Sequence, residues 1–147
     1  MKSKRVDIVS LRMVKEQSFL YPNRKISSPE DGNLLFKSLL DEKDKEHFLV
    51  ACLNTKNEVN SIEIVSIGSL NASIVHPREV FKSAILSNAA SILLCHNHPS
   101  GHVKPSNEDI AITERIREAG LILGIPVIDH IIIGKEGYYS FKENNQL

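Results

Sequence analysis

A chain of 147 residues with 41% hydrophobic and 24% charged residues is expected to form one globular domain with a sizeable core. Eighteen basic residues balance eighteen acidic ones, and this formal net charge of zero lacks the basic excess that is typical of nucleic-acid-binding proteins. No apolar run approaches the roughly 20 residues that span a bilayer, and the N-terminus lacks a signal-peptide pattern. Two cysteines are too few for a disulfide framework, and we expect a cytoplasmic protein with no membrane partner.

The first 26 residues are predicted to form a strand or a short amphipathic helix over residues 6–14, followed by a linker. The core of the domain is expected over residues 27–143. It opens on a helix, because Ser28 and Pro29 followed by two acids are typical of a helix start, where Ser caps free N–H groups and acids face the helix dipole. The leucines expected to face inward are Leu34, Leu35, Leu39 and Leu40.

Two β-rich runs at residues 47–53 and 59–67 predict a hairpin whose turn lies at residues 54–57. Pro77 is predicted to open a second helix. The residues of this helix that are expected to lie on one buried side are Val80, Phe81, Ala84 and Ile85.

Residues 89–95 form an apolar run of strand length. A longer helix is predicted from Ser106 to Gly124, because its apolar residues recur at spacings of four, three and four. Strands over residues 127–133 and 138–141 follow, separated by a turn. This order of elements predicts an α/β protein with a mixed sheet and helices packed on its faces. The apolar stripe of the long helix is Ile112, Ile116, Ala119 and Leu123.

Two histidines, His96 and His98, lie at the end of the strand predicted over residues 89–95. Alternate side chains of a strand share a face, so both imidazoles are expected to point the same way. Pro99 has no backbone N–H to donate and ends the strand. The pair therefore lies where the sheet opens to solvent, which is a suitable place for a metal site.

Asp109 can supply a third ligand from the first turn of the helix that Ser106 begins, where the helix dipole favours an ionised carboxylate. Two imidazoles and one carboxylate suit zinc best, with iron(II) or manganese as rivals, and they leave a position for water. Ser106 followed three residues later by an acid is also typical of a helix cap. The two interpretations are compatible, because a cap also holds the Asp109 carboxylate in place.

A hydrolytic zinc site also needs a group that moves protons. Glu63 is one candidate, flanked by isoleucines in the predicted strand 59–67. An acid in a β-run either faces solvent or points at a site, and the pattern alone favours solvent. Glu108, which is closer in sequence to the metal ligands, is also expected to be solvated.

Residues 96–109 read His-Asn-His-Pro, six residues, Ser, two residues and Asp, which matches the motif of the JAMM (JAB/MPN) metalloproteases without a gap. A wider stretch, roughly residues 30–143, resembles the RadC-like branch of that family. Its segments are Gly68 to Ser73, His76 to Phe81, Asn88 to Ala90, and Asp129-His130.

The resemblance implies a three-layer α/β/α fold with a mixed sheet, similar to that of cytidine deaminases. It implies one zinc ion per chain, held by His96, His98 and Asp109. It also implies that Glu63 is the general acid/base and that Ser106 donates a hydrogen bond to the oxyanion. The wider family implies zinc-dependent hydrolysis of a peptide or isopeptide bond in a protein, but the resemblance to the RadC-like branch supplies no particular substrate.

The remaining histidines and cysteines are assigned structural roles. His130 is expected to be a hydrogen-bonded structural histidine, and His102 an exposed loop residue. Cys95 precedes His96 on the strand, so it is expected to face the opposite side as a small buried hydrophobe. Neither Cys95 nor Cys52 belongs to a Cys-x-x-Cys pair, which argues against a zinc deaminase.

Two alternatives remain open. In the first, a metal-containing domain binds DNA or a partner protein without turnover, in DNA repair or in mobile-element biology, although the neutral charge argues against strong DNA affinity. The N-terminal helix-hairpin-helix region of full-length RadC-like proteins is not expected in this chain. In the second, Ser106 and Asp109 only cap a helix, and no stoichiometric metal binds. The sequence predicts no particular oligomeric state.

Overall fold

The computed structural model describes residues 1–69 and 75–147, and within these ranges it contains five strands and four helices. The strands are β1 (His47–Leu53), β2 (Val59–Ile67), β3 (Ser91–Asn97), β4 (Val127–Gly134) and β5 (Gly137–Ser140). The helices are α1 (Pro29–Leu40), α2 (Pro77–Val80), α3 (Lys82–Leu86) and α4 (Asn107–Leu123). The predicted order of elements in the core is confirmed.

The strands form one mixed sheet in the order β2-β1-β3-β4-β5. The β1 strand is antiparallel to β2 and to β3, β3 is parallel to β4, and β4 is antiparallel to β5. The parallel pair needs a crossover, and α4 supplies it. Because β3 is the central strand, the residues after its end lie midway along one edge of the sheet, beside the start of α4.

The two faces of the sheet bury separate hydrophobic clusters. On β3, Leu93 and Cys95 pack with α1, whereas Ile92 and Leu94 pack with α2, α3 and α4. The structure is therefore the predicted three-layer α/β/α arrangement. The expectation for Cys95 is confirmed, because it is fully buried on the α1 side and burial raises the pKa of its thiol.

The helix boundaries follow the predicted caps. The side-chain oxygen of Ser28 accepts a hydrogen bond from the backbone N–H of Asp31, and Pro29 occupies the first turn of α1. The C-cap of α4 is Gly124, whose φ of +71° is the left-handed conformation that glycine adopts without strain. The second predicted helix is divided at Phe81 into the short helices α2 and α3.

Three predicted core residues are exposed instead. Leu34 is 50% exposed, Ile85 is 53% exposed and Leu123 is 47% exposed. Consecutive residues of a helix point about 100° apart, so Leu35 and Ala84 take the inward positions beside Leu34 and Ile85. Leu123 is the last residue of α4, where the chain turns back to the sheet.

The strand or helix predicted over residues 6–14 is not formed. Residues 1–20 contain neither element, and their side chains are exposed. The alternation of apolar and polar residues over residues 6–14 indicates which face a strand would bury. A strand is stable only when another strand pairs with it. The structure does not describe residues 70–74. The loop predicted over residues 68–71 and the motif segment over residues 68–73 both lie partly outside the described residues. No helix in the described ranges is long and apolar enough to cross a membrane.

Candidate metal centre

Three side chains converge at the end of β3, as the sequence predicted. The Nε2 atoms of His96 and His98 are 3.0 Å apart. The Asp109 carboxylate places Oδ1 3.3 Å from Nε2 of His96, and Oδ2 3.1 Å from Nε2 of His98. These ligand atoms all lie within 4.8 Å of one another, so the three residues could hold a metal ion.

The loop between β3 and α4 is held against β4. The backbone N–H of His98 donates to the carbonyl of Ile133, which extends the pairing of β3 beyond its last residue. Gly101 then turns the chain with a φ of +94°. A Cβ atom at Gly134 would collide with the carbonyl oxygen of Gly101, so glycine at 134 allows this close approach. The loop thereby returns to the sheet end and brings Asp109 against the histidines.

Asp109 is at once a helix-capping residue and a member of the cluster. Its Oδ2 accepts the backbone N–H of Ser106 at 2.9 Å, and the Ser106 hydroxyl oxygen accepts the backbone N–H of Asp109 at 3.1 Å. This reciprocal capping box fixes the carboxylate, which is 5% exposed. The two interpretations of the Ser-x-x-Asp pattern are therefore compatible in the structure.

The hydrogen bond on the far side of His98 defines its metal-facing nitrogen. Nδ1 of His98 lies 2.8 Å from the carbonyl oxygen of His102. A carbonyl can only accept, so Nδ1 carries the proton, and in the neutral ring Nε2 is an unprotonated lone pair. That lone pair faces the Asp109 carboxylate, which is itself an acceptor. Between this nitrogen and the carboxylate, the donor set can therefore hold either a proton or a metal cation.

The charges within the cluster shift the ionisation of all three residues. Burial lowers the pKa of His96, and the Asp109 carboxylate opposes that shift only in part. For His98, burial acts downward, but the hydrogen bonds to Asp109 and to the His102 carbonyl outweigh it and raise the pKa. Burial would raise the pKa of Asp109, yet its interactions with the two histidines and with the backbone N–H of Ser106 lower it. The carboxylate is therefore ionised, as a metal ligand must be.

A cleft of about 330 Å³ opens beside the cluster. The residues that line it include His98, Asp109 and Ser106, together with Glu108 and Glu46. The Ser106 oxygen accepts a bond from α4 and keeps its own proton to donate, so the hydroxyl can serve both the cap and a group in the cleft.

The structure does not bring Glu63 to this cleft. Glu63 lies on the edge strand β2, opposite Val50 of β1. Burial raises the pKa of Glu63, with Lys82 opposing the shift and Glu79 adding to it, and these two charges belong to α2 and α3. Two acids outside the cluster line the cleft instead: Glu46, which is half-buried, and Glu108, which is exposed as predicted.

Glu46 directly precedes β1, and its position follows from strand pairing. Phe48 lies opposite His96 in the antiparallel ladder of β1 and β3. Two residues before Phe48 and two residues after His96, the same register places Glu46 opposite His98. Its charge acts to raise the pKa of both histidines. The available signal was an acid immediately before a buried strand, but it becomes informative only when the partner of that strand is known.

Asn97, which lies between the two histidines, holds the backbone on both sides of Glu46. Its Oδ1 accepts the N–H of His47 at 2.7 Å, and its Nδ2 donates to the carbonyl of Lys45 at 3.0 Å. The carbonyl of Glu46 accepts the N–H of Gly68 at 2.8 Å. The same short segment of β3 therefore supplies a cluster ligand and anchors the acid beside it.

The predictions for His102 and His130 are confirmed. His102 is exposed, and its Nδ1 lies 3.3 Å from the carboxylate of Glu136. His130 is buried and hydrogen-bonded, with its Nε2 2.7 Å from Nδ1 of His96. Burial lowers the pKa of His130 well below 6.5, so its ring is neutral. The contact with His96 was not predicted, because it depends on the parallel register of β3 and β4.

A mixed sheet with helices on both faces, and a His-His-Asp cluster at the end of its central strand, define an α/β domain that could hold one metal ion. The sequence matches the model of the RadC-like JAB domain over residues 26–146. The chain belongs to the RadC-like JAB domain family, which confirms the resemblance.

Several curated proteins are similar to this chain. A UPF0758 protein of Alkaliphilus metalliredigens is 58% identical over 124 residues, which are 84% of this chain and 53% of that protein. UPF0758 proteins of Methanosarcina barkeri and Rubrobacter xylanophilus are each 55% identical over 122 residues, covering 83% of this chain and 53% of each relative. The chain therefore spans about half the length of the curated relatives it matches.

Proposed function

We propose that the cleft binds one zinc ion per chain through His96, His98 and Asp109, and that it hydrolyses amide bonds of the peptide or isopeptide type. The observation that carries the proposal is the convergence of two imidazole nitrogens and an ionised carboxylate beside a cleft that also holds an acid and a hydroxyl. Two imidazoles and one carboxylate form a donor set typical of catalytic zinc, which keeps a fourth position open. When bound, the metal supplies Lewis-acid polarisation and a water with a pKa lowered toward about 7.

Glu46 takes the role of general acid/base in place of Glu63. Amide hydrolysis needs one group to remove a proton from the attacking water and return it to the leaving nitrogen. Glu46 lines the cleft, and Asn97 fixes the backbone on both sides of it, so its side chain enters the cleft from a fixed position in the chain. Glu63 lies on the edge strand, across β1 from β3.

Ser106 stabilises the oxygen of the carbonyl group under attack. Its hydroxyl oxygen is held by the backbone of α4, and its proton is available to an oxygen that becomes negatively charged in the cleft. A fixed donor of this kind contributes about 10²–10³ in rate. The proposed substrate is a protein or peptide that offers one amide to the cleft, including an isopeptide-linked lysine.

The first measurement is the zinc content of protein purified without added metal, beside the His98→Ala variant. We expect close to one equivalent in the parent and little in the variant, because His98 contributes one of three ligands. A parent that stays empty when zinc is supplied at neutral pH would contradict the metal centre. The helix-cap alternative would then stand.

The activity test compares Glu46→Gln with Glu63→Gln as a matched pair. Zinc-loaded proteins are incubated with a peptide library that includes isopeptide-linked lysines in oxygen-18 water, and new carboxylates are detected by mass spectrometry. We expect cleavage with label incorporation in the parent and in Glu63→Gln, but not in Glu46→Gln, with zinc retained in all three. Loss of cleavage in Glu63→Gln alone would show that the assignment to Glu46 is wrong.

A zinc-loaded parent that cleaves no probe would overturn the hydrolase and leave the non-catalytic alternative. In that case a gel shift with duplex and single-stranded DNA, repeated at rising salt, distinguishes nucleic-acid binding from protein binding. The neutral charge of the chain predicts no shift at physiological salt.

A further inference from the structure

A buried chain of hydrogen bonds joins two of the three cluster residues behind the metal-facing side. Nδ1 of His96 lies 2.7 Å from Nε2 of His130, and Nδ1 of His130 lies 2.6 Å from the hydroxyl oxygen of Thr113. That hydroxyl donates to the backbone carbonyl of Asp109 at 2.7 Å. His96, His130 and Thr113 are each at most 1% exposed, so solvent water does not compete for these hydrogen bonds.

The direction of each bond follows from the group that can only accept. The carbonyl of Asp109 can only accept, so the Thr113 hydroxyl donates its single proton to that carbonyl. The Thr113 oxygen must then accept from His130, which places the ring proton of His130 on Nδ1. In the neutral ring Nε2 is a lone pair, and His96 donates to it from Nδ1. The metal-facing Nε2 of His96 is therefore unprotonated.

We propose that His130 and Thr113 are positioning residues that hold His96 in the tautomer able to bind a metal. The inference rests on the proposed metal centre and adds residues that touch neither the metal nor the substrate. Ligating histidines are oriented through the other ring nitrogen, and the loss of such a partner typically costs 10–100-fold in metal affinity. Here the partner is a second, buried histidine rather than a carboxylate or a backbone carbonyl.

Two aromatic side chains pack against the ring of His130. Phe141 stacks on it with ring centroids 4.8 Å apart, and Phe48 meets its edge at 5.5 Å. The backbone N–H of His130 donates to Asp129 at 2.7 Å. The ring of His130 is therefore enclosed by two aromatic side chains and fixed at its backbone by Asp129.

The hydrogen bond from Thr113 to the Asp109 carbonyl connects this network to α4, so it links the ligand on β3 with the ligand on α4. Thr113 is four residues after Asp109, so its hydroxyl reaches the carbonyl one turn back in α4. The tautomer of a β3 ligand is thus set by the backbone of the α4 ligand. Displacement of the first turn of α4 would disturb His96 as well as Asp109.

The tautomers can be observed directly in the metal-free protein. Two-bond proton–nitrogen correlation spectra distinguish protonated from unprotonated imidazole nitrogens. We expect both His96 and His130 to show a protonated Nδ1 and an unprotonated Nε2 at pH near 7. A proton on Nε2 of His96 would overturn the inference whether or not metal binds.

The zinc affinities of Thr113→Val and Thr113→Ser test whether Thr113 and His130 position His96. Valine keeps the shape but removes the hydroxyl, so His130 loses the acceptor that fixes its tautomer. We expect the zinc dissociation constant of Thr113→Val to rise about 10–100-fold, and that of Thr113→Ser to stay near the parent value. His130→Gln, which keeps an acceptor, is expected to retain more affinity than His130→Leu.

A matched control separates positioning from simple loss of stability. Ile26→Val destabilises the hydrophobic cluster on the α1 side of the sheet and should leave zinc affinity unchanged. A parent that binds zinc while Thr113→Val and His130→Leu bind it as tightly would overturn the positioning role and leave the metal centre in place. A parent that binds no zinc would overturn both.

Discussion

At the scale of single residues, Asp129 is a buried carboxylate that holds the end of the sheet together. Its Oδ1 accepts the backbone N–H groups of His130 and Lys142 at 2.7 and 3.0 Å, and its Oδ2 accepts the Ser140 hydroxyl at 2.6 Å. These bonds favour the ionised form, but burial is the larger effect and raises the pKa of Asp129 above its ordinary 3.8. The residue therefore fixes the backbone beside His130 while its charge is disfavoured.

This shift predicts a pH dependence of stability. Between pH 3.8 and the higher pKa of folded Asp129, the folded state holds a proton that the unfolded state has released. Lowering the pH through that window therefore stabilises the folded state. Urea unfolding of the parent and of Asp129→Asn, which cannot titrate, should show the parent gaining relative stability as the pH falls from neutral toward 3.8. A relative loss would mean that the three hydrogen bonds outweigh burial.

The sequence was sufficient for some site residues and insufficient for others. His96, His98 and Asp109 could be predicted because a strand and a helix start define their directions locally. Glu46 and His130 could not, because each meets the cluster only through the pairing of β3 with another strand. Glu63 was assigned from its motif, without knowledge that β2 is an edge strand.

At the scale of elements, α1 and α4 begin with the same capping box. Ser28 and Asp31 cap α1, and Ser106 and Asp109 cap α4, each with a side-chain bond in both directions. In α1 the box is exposed and serves only the helix, whereas in α4 its acid also belongs to the cluster. The chain therefore contains an internal control for the helix-cap interpretation.

We predict that Ser28→Ala and Ser106→Ala each lower the free energy of unfolding by about 0.5–2 kcal/mol, because each removes an acceptor for a helix N–H. Zinc affinity should fall only in Ser106→Ala, since only that box fixes a ligand. Urea unfolding and a competitive zinc titration measure the two effects. Equal zinc affinities in both variants would show that the cap does not hold Asp109 for the metal.

The elements themselves were predictable where local pattern and tertiary burial agree. The capped starts of α1 and α4 and the hairpin of β1 and β2 formed as predicted, since their turn and cap residues act within a few positions. The helix predicted from Pro77 divided at Phe81, and residues 6–14 formed no element. For residues 6–14 the pattern lacks a strand partner in the structure, and nothing local in the sequence signals the division at Phe81.

At the scale of the whole molecule, the core begins well after the first residue. Tyr21 packs on the α1 side of the sheet, and its hydroxyl donates to the carbonyl of Asp31 at 3.0 Å. Ile26 is 6% exposed, and its N–H donates to the carbonyl of Asn57 at 2.9 Å. The side chains of residues 1–20 are exposed and lie outside both hydrophobic clusters. The energetic boundary of the fold therefore lies between residues 20 and 26.

Two deletions locate that boundary. Removal of residues 1–20 should change the free energy of unfolding by less than about 0.5 kcal/mol, because exposed groups contribute little. Removal of residues 1–26 should cost about 2 kcal/mol or more, since it takes the buried Ile26 from the α1-side cluster and leaves its partner Asn57 carbonyl without that bond. Urea unfolding with zinc chelated measures both without a contribution from metal binding. If the shorter deletion destabilised the protein as much as the longer one, residues 1–20 would have to contact the folded domain, and the core would begin earlier than these contacts indicate.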